Sequence, residues 1–110
     1  MNVLKDGSLY AVADFESKEY SQTIQFIDKE KVDDRFVTVE DGTTAEELIE
    51  VLIHRLTFQH EKMNSYYTHE AIRYLENALK ALKMRTADRE RRGVEGTPNL
   101  WQKLLMVEIT

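Results

Sequence analysis

Between residues 8 and 40 the apolar positions fall in short runs, and from residue 45 onward they return every three or four residues. Leu9–Phe15, Gln22–Ile27 and Arg35–Glu40 are rich in β-branched and aromatic side chains and are separated by polar connections. Such runs predict strands. Ile24 and Phe26 alternate with Thr23 and Gln25, so a small antiparallel meander with one covered face is expected. The spacing of the runs fits hairpin connections, although Lys29–Asp34 lacks an Asn-Gly or Asp-Gly signal and leaves room for an irregular loop. Asp41-Gly42 then breaks the pattern, and Thr43-Thr44-Ala45-Glu46-Glu47 holds two overlapping capping boxes. Ala45, Leu48, Ile49, Leu52, Ile53 and Leu56 make one helical stripe reaching to about Gln59–Met63. Asn64–Thr68 reads as a turn, with Ser65 or Thr68 capping a second helix from about His69 to Arg91, where Gly93 can stop it. Residues 93–98 read as a Gly/Pro loop, Asn99–Leu105 as a short helical turn, and Leu105, Val107 and Ile109 as a terminal strand anchored by Trp101. The expected class is therefore α+β: about three N-terminal strands, with or without a C-terminal one, and a two-helix antiparallel hairpin over 44–92.

Length and composition narrow the picture. With 110 residues the chain is sized for a single domain. Two helices and three strands leave a thin core, which a homodimer would help complete. The sequence has no cysteine, so thiolate catalysis, disulfides and cysteine-rich metal sites are excluded. His54, His60 and His69 lack metal-ligand spacing, the serines lack a strained turn or an evident base, and no carboxylate pair stands out as acid and base. No metal, no cofactor and no enzymatic activity are expected. No run has signal-peptide or membrane-span length, so a soluble, cytoplasmic product is expected.

Charge changes the picture more. The net charge is −5, which argues against binding DNA or RNA polymers. Yet Lys80, Lys83, Arg85, Arg89, Arg91 and Arg92 cluster late in an otherwise acidic chain. Ala71, Leu75, Ala78 and Leu82 share an arc of the second helix, and Arg85, Arg89 and Arg92 continue it in phase. Several forked cations on a formerly apolar face describe an anion site between packed elements; a helix outrunning its core and ending in residues that complement its dipole gives the same letters. Arg55 and Phe58 share a flank of the first helix. They read either as a stacking ring beside a phosphate-binding cation, or as packing against a neighbour with an ordinary surface pair.

The block AEELIEVLIHRLTFQHEKM followed by THEAIRYLENALKALKMRTADRERRGVEGT, above all the run from Arg85 to Thr97 with Leu75–Leu79 before it, resembles the helical-hairpin domain of phage anti-defence sponges. These are the Thoeris anti-defence family and its relatives that sequester cyclic oligonucleotides of the CBASS system. The resemblance covers about half of the chain, and the β-rich start is more similar to the Thoeris branch. It implies non-catalytic capture of a cyclic ADP-ribose isomer in an infected bacterial cell, in pockets at a subunit interface of a homodimer or an oligomer of dimers. By position, the ring stacking on adenine would be Phe58, and Arg85 and Arg89 would hold the pyrophosphate. Thr68 and His69 stand where the family places a polar contact near the hairpin turn. Arg55 and Arg92 would join this pocket or serve a second one for cyclic di- or trinucleotides. The competing expectation is a non-enzymatic module docking a host or phage protein through the hairpin.

Overall fold

The computed structural model describes residues 1–95. The expected Asn99 cap, Trp101 anchor and terminal strand lie outside the described residues. The chain divides into two compact units, with the boundary between Thr44 and Ala45.

In the first unit, β1 (Asn2–Lys5), β2 (Leu9–Val12) and β3 (Gln22–Gln25) form an antiparallel sheet in the order β1-β2-β3. Gly7, at φ 77, turns β1 into β2, and Tyr10 stands opposite Ile24 across the β2–β3 ladder. The core is small. Ala11 and Ser8 are buried, and the Tyr10 ring meets Phe26 edge-on at 5.8 Å between centroids, the arrangement that aromatic quadrupoles favour.

A separate two-stranded ribbon follows, β4 (Asp28–Val32) paired with β5 (Arg35–Glu40). Val32 pairs with Arg35, so Asp33 and Asp34 alone make the turn, at φ 50 and 64. Positive φ at both central positions twists the ribbon in the sense that strands prefer. The α+β class and a three-stranded N-terminal sheet are as expected, but the strands are sorted differently. β1 replaces Arg35–Glu40 as the third member, and the stretch Lys29–Asp34, open to an irregular loop, instead holds most of a strand and a two-residue hairpin turn. The physical reason is that β4, Asp-Lys-Glu-Lys-Val, obtains its pairing from backbone hydrogen bonds while most of its side chains stay in or near solvent. Composition carries no signal for such a strand.

The chain returns to the first sheet at Thr43, whose N–H donates to the Gln25 carbonyl at 2.8 Å while Ile27 N–H donates to the Thr43 carbonyl at 2.9 Å. A Cβ on Gly42 would stand 2.4 Å from the Gln25 carbonyl oxygen, so this close approach admits only glycine.

The second unit is a helical hairpin of α1 (Ala45–Lys62) and α2 (Tyr66–Glu95). Thr44 precedes α1 with Glu47 three residues on, as a capping box requires. Of the two expected caps of α2, Ser65 holds the position: its carbonyl accepts from His69 N–H at 3.0 Å, and its Oγ lies 3.5 Å from Thr68 N. The turn is tied to α1 as well, since Ser65 N–H donates to His60 Nδ1 at 3.2 Å. At the far end α2 does not stop at Gly93 but runs through it to Glu95. One glycine costs a helix about 1 kcal/mol, which flanking arginines, good helix formers, offset in part. Among the described residues no helix is long and apolar enough to cross a membrane.

Between β2 and β3 the Asp14 carboxylate accepts hydrogen bonds from Ser21 Oγ, Gln22 Nε2 at 3.0 Å and Ser17 Oγ at 3.3 Å. These donors, Ser21 first and then Gln22, hold its pKa below the ordinary carboxylate range. A lowered folded-state pKa adds stability that is complete above the unfolded value of about 3.9 and disappears as pH falls through the folded one. The stability difference between wild type and Asp14→Asn, from denaturant titrations at successive pH values, is therefore expected to be largest above pH of about 5 and to shrink below about 4. Gly42→Ala is expected to lose about 1–3 kcal/mol in the same assay, because the obstacle is backbone. Asp34→Gly should gain about 0.5–1 kcal/mol by removing the left-handed strain at the ribbon turn.

Candidate functional site

Two helices in contact bury one stripe each, and here the stripe is narrow. Ile49, Ile53 and Leu56 of α1 and Ile72, Leu75, Leu79 and Leu82 of α2 form the half-buried seam, and α1 has no fully buried residue. Two pairs fix the register: Lys83 Nζ lies 3.3 Å from Glu50 Oε1, and the His60 and His69 rings lie 6.1 Å apart. Phe58 therefore stands about level with Ile72.

The residues singled out from sequence fall into three places along this hairpin. Thr68 and His69 sit at the turn. Arg55 and Phe58 share the outer flank of α1, where with Val51 and His54 they line a shallow hollow of about 370 Å³. The Phe58 ring is 48% exposed and carries the Lys62 ammonium 4.4 Å from its centroid, so one face already holds a cation. Arg85, Arg89 and Arg92 occupy the last third of α2. Arg85 is exposed, Arg89 is half-buried and donates to Thr86 Oγ1 at 3.1 Å, and Arg92 Nε lies 3.1 Å from Asp88 Oδ2, a carboxylate that Arg91 also binds. At 1.5 Å per residue, Arg85 lies about 20 Å and Arg89 about 26 Å along the axis from the level of Phe58. Within one chain the ring and these guanidinium groups do not meet.

A larger concavity lies where the sequence pointed to no site. Ile53, His54 and Thr57 of α1 and Leu79, Lys80, Lys83, Met84 and Ala87 of α2 border a groove of about 700 Å³ along one side of the seam. Its signal in the sequence is the spacing Glu76, Lys80, Lys83, Ala87, one helical side; the alternation of charge there reads as an ordinary solvated face.

A protein of Bacillus phage SBSphiJ7 called Thoeris anti-defense 1 is 49% identical to this chain over 57 residues. The matched half of the chain is related to the Thoeris anti-defence family. That match takes in 51% of this chain and 40% of the phage protein, so the chain spans well under half the length of the Thoeris anti-defence relative it matches. No family model matches the chain, and no solved structure matches it.

Proposed function

We propose that this chain is a phage immune-evasion protein that acts in the cytoplasm of the infected bacterium, binding and sequestering a cyclic ADP-ribose isomer without degrading it and so blocking Thoeris defence. The observation that carries this reading is the 49% identity with Thoeris anti-defense 1 over half of the chain. The chemistry of the hairpin supports it. A cyclic nucleotide needs a π surface for its base and forked cations for its pyrophosphate, and Phe58 with Arg55, and Arg85 with Arg89, supply both kinds.

One copy holds these groups about 20–26 Å apart along the axis, so the pocket is completed by a second copy whose hairpin lies alongside. The unsatisfied apolar surface of the hairpin supports such a homodimer: Val51, Leu52 and Phe58 on α1 are 57%, 43% and 48% exposed. Burying such side chains is worth roughly 1.5–3 kcal/mol each. Arg92, already engaged by Asp88, would trade a carboxylate for a phosphate. Arg55 and Arg92 are also the groups available to a second ligand class, the cyclic di- and trinucleotides of CBASS. The same exposed surface favours one other reading, a docking module for a host or phage protein.

Capture without turnover has a direct test. Incubation with a cyclic ADP-ribose isomer should deplete free ligand, and heating should return it with unchanged mass. Phe58→Ala and Arg85→Ala should each weaken binding by about 1.5–3 kcal/mol in calorimetry while far-UV circular dichroism stays native. Recovery of a cleaved product would make the protein an enzyme. Full affinity in both variants would remove these residues from the site, and a stoichiometric protein partner with no nucleotide bound would favour docking.

A further inference from the structure

The Phe58 ring has two faces, and its neighbours on α1 use them differently. In a helix each side chain leans over the turn that precedes it. The Phe58 ring therefore tilts towards Val51 and Arg55, and with them and His54 it borders the hollow of about 370 Å³. Lys62, one turn further on, leans back onto Phe58 and sets its ammonium 4.4 Å from the ring centroid. Among the described residues the walls of the hollow do not include Lys62. The ammonium and the hollow thus use different sides of one ring, and the hollow side is open to a planar ligand.

A cation held against one face of a ring changes what the other face accepts. It draws π density towards itself, so the open face becomes a better partner for a neutral, electron-rich ring and a poorer one for a ring that is itself positive. A flat ring stacked at about 3.5 Å on the open face lies roughly 8 Å from the ammonium, about one Debye length, so a positive ring is repelled there and a neutral one is not. Arg55 in the wall of the hollow adds a second charge of the same sign. The lysine stem packed on the ring also restricts its rotation, which lowers the entropy that stacking costs. We propose that Lys62 is a positioning residue of the base subsite, holding Phe58 from behind and selecting a neutral purine against a pyridinium ring. This assignment rests on the nucleotide-capture reading, and it names the group that steers a base onto Phe58.

The full chain is titrated with adenosine 5′-monophosphate and with oxidised nicotinamide mononucleotide, which share a 5′-phosphate and differ in ring charge, and NMR follows the α1 amides and the Phe58 ring. Wild type should prefer the adenine nucleotide. Lys62→Met, which keeps most of the stem and removes the charge, should narrow that preference about two- to five-fold, and Lys62→Arg should restore it. Salt at about 0.5 M should erase most of the difference between wild type and Lys62→Met. In a Phe58→Leu background Lys62→Met should change nothing, because the charge acts through the ring. An unchanged preference in Lys62→Met, a loss that Lys62→Arg does not restore, an effect that persists without the ring, or no binding of either mononucleotide would each overturn the proposal. Wild-type capture of a cyclic ADP-ribose isomer beside any of these failures would overturn the role of Lys62 alone; absence of that capture would overturn the nucleotide-capture reading and this role with it.

Discussion

The contact of α1 with α2 governs what this hairpin can be. Each helix has the other as its neighbour along the seam, and Ile53, Leu56, Leu75 and Leu79 are all half-buried there. The seam is held in register by features at its two ends: the Ser65 turn with its bond to His60, and the Glu50–Lys83 pair. Surface ion pairs of the latter kind add little stability, so the turn and the apolar seam carry most of the burden. A structure with so little depth has large apolar and cationic faces left over.

Those faces are where function has to be sought. Basic residues on the last third of α2 are not equivalent. Arg92 and Arg91 share Asp88, Arg89 is half-buried and bonded to Thr86, and Arg85 stands exposed on the same helix. A ligand phosphate would meet an already ordered cluster in which a carboxylate has to be displaced or retained beside it. Phe58, about 20–26 Å away along the axis, offers its ring beside Arg55 and under Lys62. The separation of ring and guanidinium groups follows from the register of α1 against α2 and the helix rise, and a single pocket that uses both needs a second copy.

The first unit solves the problem of thinness differently. Among the described residues the sheet packs Tyr10 edge-on against Phe26, and the chain that leaves it comes back at Thr43 under the constraint that Gly42 carries no side chain. The β4–β5 ribbon closes on two aspartates in left-handed conformations, a choice that keeps the turn charged and costs some stability. Between β2 and β3 the Asp14 carboxylate gathers three side-chain hydrogen bonds, from Ser17, Ser21 and Gln22.

Much of this was legible in the residues. Thr44 with Glu47 marks the start of α1, the three-to-four spacing of Leu48, Ile49, Leu52, Ile53 and Leu56 marks its buried side, and the β-rich runs at Leu9 and Gln22 mark two sheet strands, because capping and periodicity are local properties. β4 was not legible, since a charged strand is stabilised by the partner it finds and not by its own side chains. Nor was the passage of α2 through Gly93, a position where helix and stop are separated by little free energy. By itself the sequence determined the elements, the basic stripe and the kinship of half of the chain with Thoeris anti-defence proteins. Only the tertiary structure decided which side chains share a surface, because that depends on the register of α1 against α2. That register separates Phe58 from Arg85 and joins Ile53 to Leu79 across a groove, and no spacing along one helix contains it.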